Sequence, residues 1–305
     1  MIDVLVGALV YSNLLALLAV GLSIALLTCK VSNFAHGDFA TVGVYAAYTA
    51  SVLLGITPYF CIPVAFIIGG LISLVAFLIV FEPLRSKAEL TTLMVVSMAV
   101  DMIIRYTLHI YADLMQRSLG VYTRQFMFKD FHFQVAGYIL PGVLIMSACI
   151  ASAMMVALYF LLYKTNLGVA MRAAIENPSL AEALGVNVKK VFAISWFLSG
   201  ALAATAGVFL PFRIQVTPDT GWSLLLSMFA SVTVGGLGNL SGSIAGAYLI
   251  GFSETLFSYS LSSIGLSTAY RPAVSFTAII VTLLLSPRGL TGFLGNRKRW
   301  FKWRS

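Results

Sequence analysis

Ionisable side chains are scarce in this chain, and those that fall inside long apolar stretches are where chemistry has to be sought. Asp101, Arg105 and His109 recur at four-residue steps, so in a helix they share one face and Asp101 can pair with Arg105 across a single turn. Asn33, His36 and Asp38, with Gly37 among them, sit between two apolar runs, and Glu254 stands well inside another. A charge at the centre of a bilayer costs about 2.5–3.5 kcal/mol or more, so each of these groups either pairs internally or lines a wet pathway. The plainer readings are a structural ion pair near one membrane edge for Asp101 and Arg105, and an ordinary turn with a backbone break at Gly37 for Asn33 to Phe39. Glu254 is expected either on a pathway or paired with Arg271 or Arg213. One His and one Asp two residues apart lack the further ligands of a closed metal site, so no metal is expected. No nucleophile-and-base pair accompanies His36, Asp38 and Glu254, which argues against an enzyme.

Membrane helices are the elements that must carry these groups. The 305 residues are 60% hydrophobic and 10% charged, whereas a soluble domain carries about 25% charged residues. Uncharged stretches run from Val4 to Cys29, Phe39 to Phe81, Phe131 to Tyr163, Val191 to Phe212 and Thr220 to Ser253, several of them longer than the ~20 residues that cross a bilayer. Their apolar residues are continuous rather than alternating, which excludes barrel strands. The expected fold class is therefore all-α, a polytopic transmembrane helix bundle forming a single domain over 1–305. Its spans are read as Val4 to Leu27, Phe39 to Leu54, Tyr59 to Phe81, Leu90 to Tyr111, Gly137 to Leu162, Val191 to Phe212, Trp222 to Gly235, Ile244 to Tyr259 and Pro272 to Ser286. That is about nine, within a range of eight to ten. The opening Met1-Ile2-Asp3 has no basic region of the kind that precedes a signal core, so the first apolar run reads as a permanent span.

Basic residues cluster in a loop at about 164–190, with Lys164, Arg172, Lys189 and Lys190, and in a tail at 288–305 that interleaves Arg288, Arg297, Lys298 and Arg299 with Trp300, Phe301 and Trp303. The positive-inside rule places both in the cytoplasm, and parity then places the N-terminus outside. Arg117, Arg124 and Lys129 fall outside against that rule. The net charge of +8 is explained by anionic lipid, so no nucleic acid is expected as a partner. Gly238, Gly242 and Gly246 repeat at four-residue spacing beside Asn239 and Ser241, which suits close helix packing or a broken helix whose ends meet solute. Gly200, Ala204 and Gly207 form a second small-residue face, read as packing. Cys29, Cys61 and Cys149 have no redox or metal spacing.

Within the basic loop, Asn177 suits an N-cap, Pro178 the first helical position and Gly185 a stop, so a helix of about two turns is specified locally. Leu180, Ala181 and Leu184 are expected on one face, with Glu182 and Ala183 between them. Such a helix either fits a partner's groove or packs on its own bundle. Ala181-Glu182-Ala183-Leu184-Gly185 resembles the coupling loop of ABC importer permeases. Asn33-Phe34-Ala35-His36-Gly37-Asp38-Phe39, Gly235 to Gly242 and Ser286-Pro287-Arg288-Gly289-Leu290 are similar to segments of the branched-chain amino-acid (Liv-type) permeases. The resemblance implies a permease paired with a second, homologous or identical, permease, two ATP-binding subunits and an extracytoplasmic solute-binding protein. It also implies that the 177–185 helix docks on an ATPase. The chain has no phosphate-binding loop, so no cofactor is expected here and ATP and Mg are bound by the partner ATPases. The competing function is an ion- or proton-coupled carrier acting alone through Asp101, His109 and Glu254.

Overall fold

A computed structural model describes residues 2–85, 87–135, 138–287 and 289–291. Arg288 and the basic aromatic stretch at 292–305 lie outside the described residues. In lipid the backbone has no water to bond with, so each apolar run closes its own hydrogen bonds as a helix. The helices are α1 (Ile2–Cys29), α2 (His36–Leu54), α3 (Ile62–Ala76), α4 (Glu82–Arg85), α5 (Leu90–Leu119), α6 (Gly142–Lys164), α7 (Asn166–Glu176), α8 (Pro178–Ala183), α9 (Val188–Phe209), α10 (Thr220–Gly235), α11 (Leu240–Ser263) and α12 (Pro272–Leu285). A π turn at Phe77–Phe81 carries α3 into α4 without a break.

Among the described residues, six stretches are long and apolar enough to cross a membrane: Ile2–Thr28, Pro58–Arg85, Leu90–Leu119, Gly142–Lys164, Val188–Phe212 and Thr268–Leu285. The other three expected spans are also helical but differ in kind. α10 has only 16 residues, and α2 and α11 are diluted by Gly, Ser, Thr and acidic residues. One boundary is corrected. Gly137, the expected start of the fifth span, lies outside the described residues, but residues 138–141 form a strand and the helix α6 opens only at Gly142. That strand, β2 (Tyr138–Pro141), pairs antiparallel with β1 (His132–Val135), so the bundle carries one small hairpin beside its helices.

α1 and α9 are buried along most of their length and form the centre, while α12 is covered along almost none. α11 runs antiparallel to α1: Ser23 Oγ meets Ser243 Oγ at 2.6 Å near one end, and the Tyr11 hydroxyl reaches Glu254 at 3.1 Å near the other. Apolar burial gives helices no reason to associate in lipid, so close backbone approach has to do it. Gly200, Ala204 and Gly207 of α9 are that contact. A Cβ on Gly200 would collide with Ser73 of α3, one on Gly207 with the Ala40 carbonyl of α2, and one on Gly43 of α2 with the Ala204 backbone. Ser73 also donates from Oγ to the Trp196 carbonyl at 2.8 Å, fixing α3 on α9.

Gly43→Leu should therefore force α2 off α9. Overpacking of about 1–3 kcal/mol or more is expected, seen as a lower melting temperature and loss of the monodisperse peak in detergent. Gly265→Asn, at an exposed turn whose φ of 76° asparagine adopts more readily than other side chains, should cost far less and keep the monodisperse peak.

Candidate functional site

Residues 30–35 do not form an ordinary turn at the membrane edge. The Asn33 side-chain oxygen accepts from the Ala35 N–H at 3.1 Å, and the Phe34 N–H donates to Ser97 of α5 at 3.2 Å. The segment thus turns back into the bundle before α2 begins. His36, in the first turn of α2, places Nε2 2.9 Å from the Leu18 carbonyl and Nδ1 3.3 Å from Ser199 Oγ. Leu18 lies close to the middle of the 28-residue α1, so α2 starts at mid-depth. The break expected at Gly37 is corrected: Gly37 is helical, and its missing side chain lets α2 touch the Gly221 backbone of α10. The Gly221 N–H donates to Thr41 Oγ1 at 2.9 Å. The first turns of α2 and α10 therefore meet inside the bundle.

Charged groups surround that meeting point. Arg105, the sixteenth residue of the 30-residue α5, hydrogen-bonds Asp101 one turn earlier, as the spacing predicts. Its Nε also lies 3.5 Å from Asp38 Oδ2, and its guanidinium stands 4.4 Å from the centre of the Trp222 ring of α10. Asp38 is fully buried, and neither of its carboxylate oxygens accepts a hydrogen bond. One turn along α5, His109 Nε2 lies 3.2 Å from Asp219, the N-cap residue of α10. The Asp219 side chain is 55% exposed, unlike Asp38. Asp219 and Trp222 were not singled out by sequence reasoning. The available signal was Asp219-Thr220-Gly221 as a helix start opposite a basic residue, and nothing local linked it to α5.

Glu254 belongs to a different place. Its carboxylate is 1% exposed and accepts from Arg271 Nε at 2.9 Å, Tyr11 at 3.1 Å, Ser227 at 2.6 Å and Ser275. Arg271, which also lies 4.0 Å over the Tyr11 ring, is the partner; Arg213 lies beside Gly7 instead. Ser227 lies two residues beyond Leu225, the α10 residue that packs on Gly37, so Glu254 and Asp38 face opposite sides of α10. Four donors and one matching charge make Glu254 a clamp between α1, α10, α11 and α12. Gly238 and Asn239 lie in the α10–α11 turn and Ser241 in the first turn of α11, where Asn239 Oδ1 caps the helix by accepting the Gly242 N–H at 2.9 Å and Gly235 packs on Gly242.

The 177–185 segment has the expected caps. Asn177 Oδ1 accepts the Leu180 N–H at 3.0 Å, and Gly185 adopts φ 86°, a left-handed turn open to glycine. The helix α8 is six residues long, shorter than two turns. The single apolar face is corrected as well: Ala181 is buried, while Leu180 is 56% and Leu184 76% exposed. Four-residue spacing keeps the two leucines on one face, and Ala181 is turned away from it onto the bundle. The preceding helix α7, which sequence reasoning left as loop, is capped by Thr165 and buries Met171 and Ala174, with Arg172 bonding the Leu162 carbonyl.

A family model described as branched-chain amino acid transport system permease component matches residues 4–283. The chain is 40% identical over 292 residues to the probable branched-chain amino acid transport permease protein LivH of Methanocaldococcus jannaschii, covering 95% of this chain and 92% of that one. It is 28% identical over 289 residues to the high-affinity branched-chain amino acid transport system permease protein LivH of Escherichia coli, with 91% of each covered. It is also 26% identical over 307 residues to the ribose import permease protein RbsC of Haemophilus influenzae, covering 97% of this chain and 87% of that one.

Removing one partner of a buried ion pair strands the other, at about 3–5 kcal/mol. Arg271→Ala should therefore lower thermal stability sharply, and adding Glu254→Gln should restore part of the loss in a double-mutant cycle read by melting in detergent.

Proposed function

The chain belongs to the branched-chain amino acid transport permease family, and we propose that with a second permease it forms the membrane pathway of an ABC importer for branched-chain or other aliphatic amino acids. It is a multi-pass protein of the cell membrane. In this reading two ATPase subunits bind ATP and Mg and drive the cycle, and an extracytoplasmic binding protein delivers the solute. This chain hydrolyses nothing. Nine helices cross or partly cross the membrane, starting outside and ending in the cytoplasm. The charge distribution supports that orientation. Lys30, Arg85, Lys164, Arg172, Lys189 and Lys190 all belong to the end of the bundle where α1 finishes, where Lys189 pairs with Glu82 at 3.4 Å. At the opposite end Arg124 is neutralised by Asp113 at 2.6 Å.

The observation that carries the reading is the bare leucine pair on α8. Leu180 and Leu184, 56% and 76% exposed among the described residues, project from a locally capped helix on the basic end of the bundle. An apolar helix face of this kind fits a groove on a partner, and the family supplies the ATPase. Asp38, Asp101 and Arg105 are assigned to the pathway, with Asn33, His36 and Gly37 shaping its wall. Glu254, Gly238, Asn239 and Ser241 are assigned to holding the bundle together. Membership of this family supports an ATP-driven importer over an ion-coupled carrier.

Leu180→Asp with Leu184→Asp should abolish co-purification of the ATPase after mild detergent extraction and reduce solute uptake at least tenfold, while the chain still inserts. Retention of the ATPase by a correctly inserted double variant would remove α8 as the docking element.

A further inference from the structure

We propose that the junction of α2, α5 and α10 is a subsite for the ammonium group of the transported solute, held by Asp38 and Asp101. This rests on the amino-acid reading above and goes one step further, to the chemical group that is recognised. Two buried acids, Asp38 and Asp101, share one permanent cation, Arg105, and a third, the half-exposed Asp219, lies one turn along beside His109. The charges do not balance. The hydrogen bonds do not balance either: among the described residues Oδ1 of Asp38 and Oδ1 of Asp101 are buried without a partner, and Asp38 Oδ2 has only the 3.5 Å ion pair with Arg105 Nε. Buried polar groups are almost always satisfied, and a carboxylate left with open acceptor sites costs far more than a neutral group.

The missing partner is defined by what is left over. It must supply positive charge and several donors directed at carboxylate oxygens, and a primary ammonium supplies one charge and three N–H donors. A carboxylate alone would be repelled, and a sugar hydroxyl would leave the charge unanswered. The position also fits a pathway. The cluster lies halfway along α5 and at the start of two helices that begin at mid-depth, the arrangement in which discontinuous helices present polar groups to a solute. Asp219 and Trp222 are about half exposed on the same side. A half-exposed aspartate at that level is not tolerated against lipid, so this face borders water or the second permease. Arg105 occupies the site in the absence of solute, and an arriving ammonium competes with it for Asp38.

The test uses the complete permease–ATPase complex in lipid nanodiscs without binding protein. Radiolabelled leucine is displaced by 3-methylbutylamine, which keeps only the ammonium, or by 4-methylpentanoate, which keeps only the carboxylate. The amine should displace leucine at least about tenfold better than the acid. Asp38→Asn and Asp101→Asn should each weaken leucine and amine binding by about tenfold or more, with co-purification of the ATPase unchanged. If either variant fails to assemble, Asp219→Asn, on the exposed rim, should still weaken the amine by about threefold. Equal competition by amine and acid, or unaltered leucine affinity in assembled variants, overturns the proposal. If the complex binds no leucine but accumulates it in vesicles once binding protein is added, the subsite is wrong and the transport reading stands. If the full system accumulates no leucine, the transport reading fails first and the subsite with it.

Discussion

Arg105 is one guanidinium asked to answer two buried carboxylates on different helices, and much of the architecture follows from how it reaches both. Asp101 lies one turn away on α5 and would hold Arg105 by itself. Asp38 lies on α2, and it can come within 3.5 Å only because α2 starts halfway down the bundle rather than at its edge. That early start is in turn set by the Asn33 turn, by Ser97 receiving the Phe34 N–H, and by His36 seated against Leu18 and Ser199. Gly37 and Gly221 then let α10 begin at the same level and bring Trp222 over the guanidinium. Each of these features would be a liability alone. Together they concentrate polar groups at one depth, where a bilayer tolerates them only inside protein or beside water.

The Glu254 cluster shows what a purely structural charge looks like in the same bundle. It has one acid, one base and three hydroxyl donors, so little is left unsatisfied on the acid and four helices are tied at one point. The Asp38 cluster has surplus acid and orphaned oxygens. The two clusters lie against opposite faces of α10, where Leu225, packed on Gly37, and Ser227, bonded to Glu254, are two residues apart. The clamp holds the α1–α10–α11–α12 side, while the other face of α10 looks onto charges that are only half answered. A short, 16-residue helix placed between a fixed side and an unsatisfied side is well situated to respond to a solute.

What the sequence makes legible is what is local. The cap at Asn177, the stop at Gly185, the i,i+4 pair of Asp101 and Arg105, and the small-residue face of α9 all depend on neighbours within one or two turns. Membrane residence and the helix series follow from apolar run length. The encounter of Asp38 with Arg105, and of His109 with Asp219 across 110 residues, depends on which helices touch, and no spacing encodes that. The depth of α2 is hidden for the same reason: His-Gly-Asp fits a turn or a pathway segment equally until Leu18 and Ser199 are known to receive the histidine. The leucine face of α8 was misassigned at Ala181 because a six-residue helix has too few positions for its own pattern to decide which side meets the bundle.

The distance between α8 and the Asp38 cluster has to be bridged by something stiff if force applied at one end is to matter at the other. α9 meets that need. A turn at Gly185, fastened by Gly185 and Val186 N–H bonds to the Glu182 and Ala181 carbonyls, leaves few free residues between α8 and α9. α9 then runs unbroken from Val188 to Phe209, receiving His36 at Ser199 and α2 again at Ala204 and Gly207. Because those contacts are backbone against backbone, α9 cannot slide without carrying α2, and moving α2 changes the Asp38–Arg105 separation directly. A looser interface, padded with long flexible side chains, would absorb the same displacement. The small residues that bring the helices close are therefore also what makes the bundle able to transmit motion from its basic end to the charges at its centre.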